Sequence, residues 1–187
     1  NLILTTGEDC VMNLIDLNNG EAEDEYIEAS YTSEQPLVSC GFIGSTGLAY
    51  AITTINTVEI IDLETMCVVK QWNEFNKAGH YVIQGQYVDD QMVFFTGNNT
   101  GELFRYAYEP KKSFSLLDSL KIANDNKKDD VTIIRNAICV DKTHMILSTD
   151  SGSIYQYSSS DKGKSAKLVL KNDVKLKTTA GVPSVNK

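Results

Sequence analysis

Apolar residues come in short runs that alternate with polar ones at period two, and clusters of Gly, Asn, Asp or Ser interrupt the runs at regular intervals. Residues 2–20 (LILTTGEDCVMNLIDLNNG) show the unit: an apolar run, a polar turn, a second run ending in Ile-Asp, then Asn-Asn-Gly. The alternation and the wealth of Val, Ile, Thr, Tyr and Phe predict strands. The turn residues tolerate the positive φ that tight hairpins require.

The hairpin recurs. ILTTGEDCVMNLIDL lies over YAITTINTVEIIDL, VFFTGNNTGELFRYA and ILSTDSGSIYQYS. The terminal pairs Ile15-Asp16, Ile61-Asp62, Tyr106-Ala107 and Tyr157-Ser158 have second members 46, 45 and 51 residues apart. A fixed period of this kind marks a repeat array. Apolar runs at 37–43, 81–88 and 131–140 each precede a hairpin, and runs at 26–31, 67–72 and 114–122 each follow one. Each unit is thus predicted to hold an inner strand, the hairpin pair and an outer strand. The stretch SLLDSLKIA has some helical spacing but fits an outer strand as well. The units span about 1–32, 37–72, 81–122 and 131–158, with residues 161–187 as a basic terminal strand or tail. Such a unit cannot bury both faces alone and must stack on its neighbours, radially in a β-propeller.

At this point the pattern resembles the WD-repeat family. Ile15-Asp16 and Ile61-Asp62 fit its Trp-Asp position with Ile replacing Trp, and Gly79-His80, 26 residues ahead of Tyr106, fits its Gly-His pair. The resemblance covers roughly residues 1–160 and implies an all-β WD-repeat β-propeller of divergent repeats. It also implies a buried polar network of Asp, His, Ser/Thr and Trp, which is incomplete in every unit. The third unit has His80 and Thr96 but Asn99 at the Asp position and no Trp. About four blades are present, whereas a seven-bladed ring takes roughly 300 residues. The chain opens at Asn1 already inside an apolar run, and its first unit lacks an inner strand. It therefore reads as a C-terminal portion of a larger ring, the remaining blades coming from a missing N-terminal part or another chain. A half-ring alone would expose two apolar faces.

Charge is unevenly placed. Residues 161–187 hold seven Lys against Asp161 and Asp173, a balance of +5, which leaves −13 of the total −8 on residues 1–160. An acidic body argues against general nucleic-acid binding, which needs a basic footprint. Only the Lys-rich tail offers a weak nucleic-acid or nuclear-targeting signal. No run approaches the ~20 apolar residues of a membrane-spanning helix. Cys10, Cys40, Cys67 and Cys139 are scattered at least 27 residues apart without a Cys-x-x-Cys pair, as for small buried hydrophobes in a reducing intracellular compartment, cytoplasm or nucleus. No zinc spacing, calcium-loop register or phosphate-binding glycine loop is present, so no metal or cofactor is expected. His80 and His144 fall in different units and identify no nucleophile–base pair, so no catalytic residue is assigned.

What remains is surface. In a propeller the hairpin turns and the links into each inner strand share one rim. Asp9, Asn56, His80, Asn98, Asn99 and Asp150 are the candidate partner-binding residues there, beside Glu8, Ser151, Gln35 and Asp129-Asp130. The acidic loop Glu21, Glu23, Asp24 and Glu25 is a charge cluster expected on the opposite rim. The function expected is a non-enzymatic protein–protein interaction scaffold. An adaptor in a nuclear or ribonucleoprotein assembly, using the tail, is the alternative. Less favoured is a propeller enzyme, which would need polar groups converging on the central channel.

Overall fold

The structure, a computed structural model, describes residues 1–19, 26–74, 79–122, 133–141 and 143–158, and the backbone of 169–172. The acidic loop at 21–25, Asp129-Asp130 and the tail apart from that short segment lie outside the described residues. Fifteen strands are described, in four antiparallel sheets, and no α-helix occurs among the described residues. The first sheet has three strands, β1 (Leu2–Thr6), β2 (Val11–Asp16) and β3 (Ile27–Thr32), in that order. The second runs β4 (Leu37–Phe42), β5 (Leu48–Thr53), β6 (Val58–Asp62) and β7 (Cys67–Trp72). The third runs β8 (His80–Val88), β9 (Gln91–Asn98), β10 (Glu102–Glu109) and β11 (Ser113–Lys121). The fourth runs β12 (Ile134–Cys139), β13 (His144–Thr149), β14 (Ile154–Ser158) and β15 (Val169–Asn172). Within the SLLDSLKIA stretch the residues up to Lys121 are strand, with Leu116 paired to Tyr106 and Leu120 to Leu103 across β10.

The core lies between sheets. Met12, Tyr31, Leu37, Ala49, Ala51 and Ile61 close the first sheet on the second. Tyr50, Ile52, Val58, Ile60 and Trp72 meet Met92, Phe94 and Tyr108 between the second and third. Val93, Phe95 and Leu103 meet Ile134, Ala137, Met145, Leu147 and Tyr155 between the third and fourth. The strands at the sheets' first edges adjoin in turn, β1 (the counterpart of β5, the first sheet having no strand equivalent to β4) beside β4, β4 beside β8 and β8 beside β12, so the sheets fan about a common edge. Aromatic contacts reinforce the middle joint: Trp72 stacks on Phe114 (ring centroids 4.0 Å, 10°), and Tyr50 meets Phe94 edge to face at 5.3 Å.

Backbone irregularities repeat with the units. The pairing of the outer strand skips one residue at the same step in the first three sheets, leaving Glu28, Val69 and Leu117 as bulges, and two residues earlier in the fourth, at Lys171. Inner strands skip Val38, Ile83 and Arg135. A bulge bends its strand and re-aims the extra side chain, and here it leaves Val38, Val69 and Leu117 facing solvent. The Asp of the Ile-Asp pair closes the following turn. Asp62 Oδ1 accepts hydrogen bonds from Thr65 N (2.9 Å), Thr65 Oγ1 (3.0 Å) and Glu64 N (3.1 Å), and these hold its carboxyl below the usual range. Asp16 does the same for Asn18 N at 2.9 Å. The turn needs an acceptor there, and Asp supplies it in both units.

Candidate interaction rim

The turns β1–β2, β5–β6, β9–β10 and β13–β14 lie at one end of the sheets, next to the links that enter inner strands. Gly7 O accepts from Leu37 N (3.2 Å) and Cys10 O from Ser33 N (2.8 Å), docking the first turn on the link into β4. Thr54 N donates to Pro36 O (2.9 Å), and Asn56 Oδ1 accepts from Val82 N at 3.0 Å, docking the second turn on β8. Asn56 sits at φ 61°, a left-handed conformation that Asn tolerates better than most residues. Asn98 is the register partner of His80. Asp150 Oδ1 accepts from Ile133 N (3.0 Å), while Asp150 N donates to Ile133 O (2.9 Å).

All six candidate residues thus gather at one end, and most have a local task. Asp9 Oδ1 accepts from Val11 N at 3.1 Å. Asn98 Oδ1 accepts from Thr100 N (2.9 Å) and Glu102 N (3.0 Å), and its Nδ2 donates to Glu102 Oε2 at 2.7 Å. Asn99 and Glu8 stand exposed in their turns. The bonds hold the turns in fixed positions, and the exposed turn residues form the surface that a partner would meet.

His80 sits differently. Its ring stacks on Phe104 at 4.3 Å, and its Nδ1 is buried with no hydrogen-bond partner among the described residues. Burial pushes the imidazole pKa below its ordinary 6.5, against a smaller upward pull from Glu102. Thr96 Oγ1, in the same sheet, is likewise buried without a partner. Phe104 is the register partner of Thr96, and its ring carries no donor or acceptor to offer it. Two buried polar groups of the third sheet thus stand without a hydrogen bond among the described residues.

Polar side chains of the inner strands are spent on neighbouring backbone. Gln86 Nε2 donates to Cys139 O (2.8 Å), and Cys139 N donates back to Gln86 Oε1 (2.9 Å). Gln84 Nε2 donates to Ala137 O, and Tyr81 Oη to Ile134 O at 2.9 Å. One sheet earlier, Tyr50 Oη donates to Gly85 O at 2.7 Å. These side chains cap the free edges of β8 and β12, groups that would otherwise be open to strand pairing. They do not converge on a reaction centre. Among the described residues no group of three or more His, Cys, Asp or Glu is placed to hold a metal ion. His144 Nδ1 lies 2.8 Å from Asp141 Oδ2 and 2.9 Å from Thr143 Oγ1. Both contacts fall on one ring nitrogen, so this is a turn lock and not a relay from carboxylate through imidazole to hydroxyl.

Sequence reasoning missed two features. Glu59 is buried on β6, accepting from Tyr31 Oη (2.9 Å) and Ser33 Oγ (3.0 Å) of the first unit and from Gln71 Nε2 (3.3 Å). The signal was a lone carboxylate inside the apolar run VEII. The other is a cleft of about 350 Å³ between the outer parts of the second and third sheets, lined by Leu48, Val69, Lys70, Tyr108, Lys111 and Lys112 among others. Its lysines come from separate units, and only the fold joins them.

No family model matches the chain, and no curated protein does. Among solved structures it is similar to the β-propeller domain of Cps50 (Swd1) from Myceliophteria thermophila, with a TM-score of 0.62 and 13% sequence identity. The alignment covers 89% of this chain and 52% of that one, so the chain spans about half the length of that domain. With four antiparallel sheets fanned about their inner strands and this likeness in three dimensions, the chain has an all-β, β-propeller fold.

Proposed function

We propose that this chain is part of a divergent WD-type propeller that serves as a non-enzymatic protein-interaction scaffold inside the cell. The observation that carries the reading is the division of labour among its polar groups. Those on the inner strands are consumed in joining sheets, whereas the turns at one end are pinned by hydrogen bonds and still present exposed residues such as Glu8 and Asn99. Rigid, pre-positioned loops suit docking because little conformational freedom is lost on binding. Four free cysteines support an intracellular setting. The order of the segments GEDCVMNLIDLNNGEAEDE, PLVSCGFIG and YVIQGQYVDDQMVFFTGNNTGELFRY is similar to that of WD repeat-containing protein 89. Within this reading, the two end faces of the fan are closed by further blades, from a longer form of the chain or from another chain. Support comes from the row Ile3, Ile15 and Ile27, paired across the first sheet, and from the exposed Ile138, Ile146 and Ile154 of the fourth.

The test is affinity purification of the protein in its full-length form at native levels, followed by mass spectrometry. A reproducible set of partners, reduced when Glu8 and Asn99 are changed together to Arg, is the expected result. Recovery of no reproducible partner overturns the scaffold reading.

A further inference from the structure

The outer circumference carries a second surface, at the end of the sheets opposite to the rim. The β10–β11 turn is built on Glu109, whose carbonyl accepts from Lys112 N at 3.0 Å, and on Ser113 at φ 72°. This tight turn presents Pro110, Lys111 and Lys112 at the mouth of the cleft between the second and third sheets. The facing wall is β7, where the bulge turns Val69 outward, 54% exposed, beside Lys70. Leu48 and the buried Tyr108 ring complete the lining.

Two features single this cleft out. The described part of residues 1–160 has six basic side chains, Lys70, Arg105, Lys111, Lys112, Lys121 and Arg135, and three of them line it. Arg105 is occupied by Asp118 and Lys121 by Glu102. Lys112 reaches Glu109 at 2.9 Å, whereas Lys70 and Lys111 make no ion pair among the described residues. In a body of net charge −13 this is a local inversion of sign. The bulge position is the second feature: it holds Glu28 in the first sheet, but Val69 and Leu117 in the two sheets that bound the cleft. Val68 and Leu116 beside them are also exposed, so apolar edges flank the lysines.

We propose that this cleft docks an acidic peptide segment of a partner protein, its carboxylates on Lys70 and Lys111 and an apolar side chain against Val69 and Leu48. The inference rests on the scaffold reading and adds the chemistry of one partner. Positive charge over an apolar floor selects a segment that alternates acidic and apolar residues. A nucleic-acid strand fits less well, because the one aromatic ring in the cleft, Tyr108, is buried and offers no stacking face.

The probe is a fluorescein-labelled octapeptide of alternating Glu and Leu, titrated into the full chain and read by anisotropy. Binding that weakens with added salt is expected. A Gln–Leu octapeptide is expected to bind at least tenfold more weakly to the unaltered protein. The Glu–Leu probe is expected to lose at least tenfold in affinity on Lys70→Glu/Lys111→Glu and on Val69→Asp, with the Trp72 emission of both variants unchanged as the folding control. Should the charge-reversed variant misfold, Lys70→Gln/Lys111→Gln takes its place. Undiminished binding by these variants, equal binding of the Gln–Leu peptide, no binding at all, or displacement by an oligouridylate as effective as the unlabelled peptide each overturns the proposal. Full-length protein with the cleft lysines reversed, taken through affinity purification, separates the two claims: loss of one partner with retention of the others sustains both. An unchanged partner set sinks the cleft alone, and an empty one in the unaltered protein sinks the scaffold.

Discussion

At the scale of single residues, close approach decides more than chemistry. Gly85 lies in mid-strand β8, where a Cβ would stand 2.5 Å from Met92 Cε, 2.8 Å from Phe94 and 2.9 Å from Tyr50. Met92 can shift, but the two rings are fixed by their contact with each other. Gly85→Ala should therefore destabilise the fold by about 1–3 kcal/mol, measured by urea denaturation. A loss near zero would mean that the joint between the second and third sheets yields to an added methyl group. Thr96 gives the opposite sign. Its buried hydroxyl has no hydrogen-bond partner among the described residues, so Thr96→Val removes an unsatisfied polar group at nearly constant volume and should stabilise by up to about 1 kcal/mol. His80 adds a pH term. With a folded-state pKa below 6.5, it contributes stability above pH 6.5 that is lost as the pH falls through the folded value. His80→Phe should flatten that acid limb in melts taken between pH 7 and 5. The sequence made His80 and Thr96 visible only through a resemblance to the polar positions of WD repeats. It could not show them disconnected, because that depends on Phe104 standing where a donor is needed.

Elements are joined by contacts whose partners lie in different repeats. Glu59 illustrates this, since β6 of the second unit supplies the carboxylate while Tyr31 and Ser33 of the first supply two of its donors. Burial, and then donation to Glu59, push the Tyr31 phenol from its ordinary 10.0 to about 12. A raised phenol pKa means that the folded chain holds its proton more tightly than the unfolded one. The contribution is full below pH 10 and disappears as the pH climbs towards 12. Thermal melts across that window should fall more steeply for the unaltered protein than for Tyr31→Phe, and parallel curves would remove the bond from the account. Strand identity and order were legible because alternation and turn residues are local signals. The bulges at Val69 and Leu117 were not, for a skipped residue looks like any other apolar residue in a run until its partner strand is known. Hence the sequence predicted the rim turns, whereas the lysine cleft beside β7 emerged only with the register.

For the whole molecule, stacking raises the question of what ends the stack. Each inner joint buries a dense apolar layer, but the two outermost faces keep the same kind of residue exposed, with Ile27 at 47% and Ile138 at 46%. Isoleucine rows of this kind belong against another sheet, and in water they favour association. Light scattering coupled to size exclusion should find the chain by itself growing in apparent mass as its concentration rises. Ile27→Lys combined with Ile138→Lys should hold it monomeric, because a charged group on each face opposes sheet-on-sheet contact. Within a closed ring the same two lysines would be driven into a joint, and there they should lower the melting temperature sharply. Opposite effects of one pair of substitutions, solubilising in this chain by itself and destabilising in a closed ring that contains it, would identify both faces as blade contacts. A monomeric chain with unaltered faces, or a ring indifferent to both lysines, would instead make the first and fourth sheets true ends.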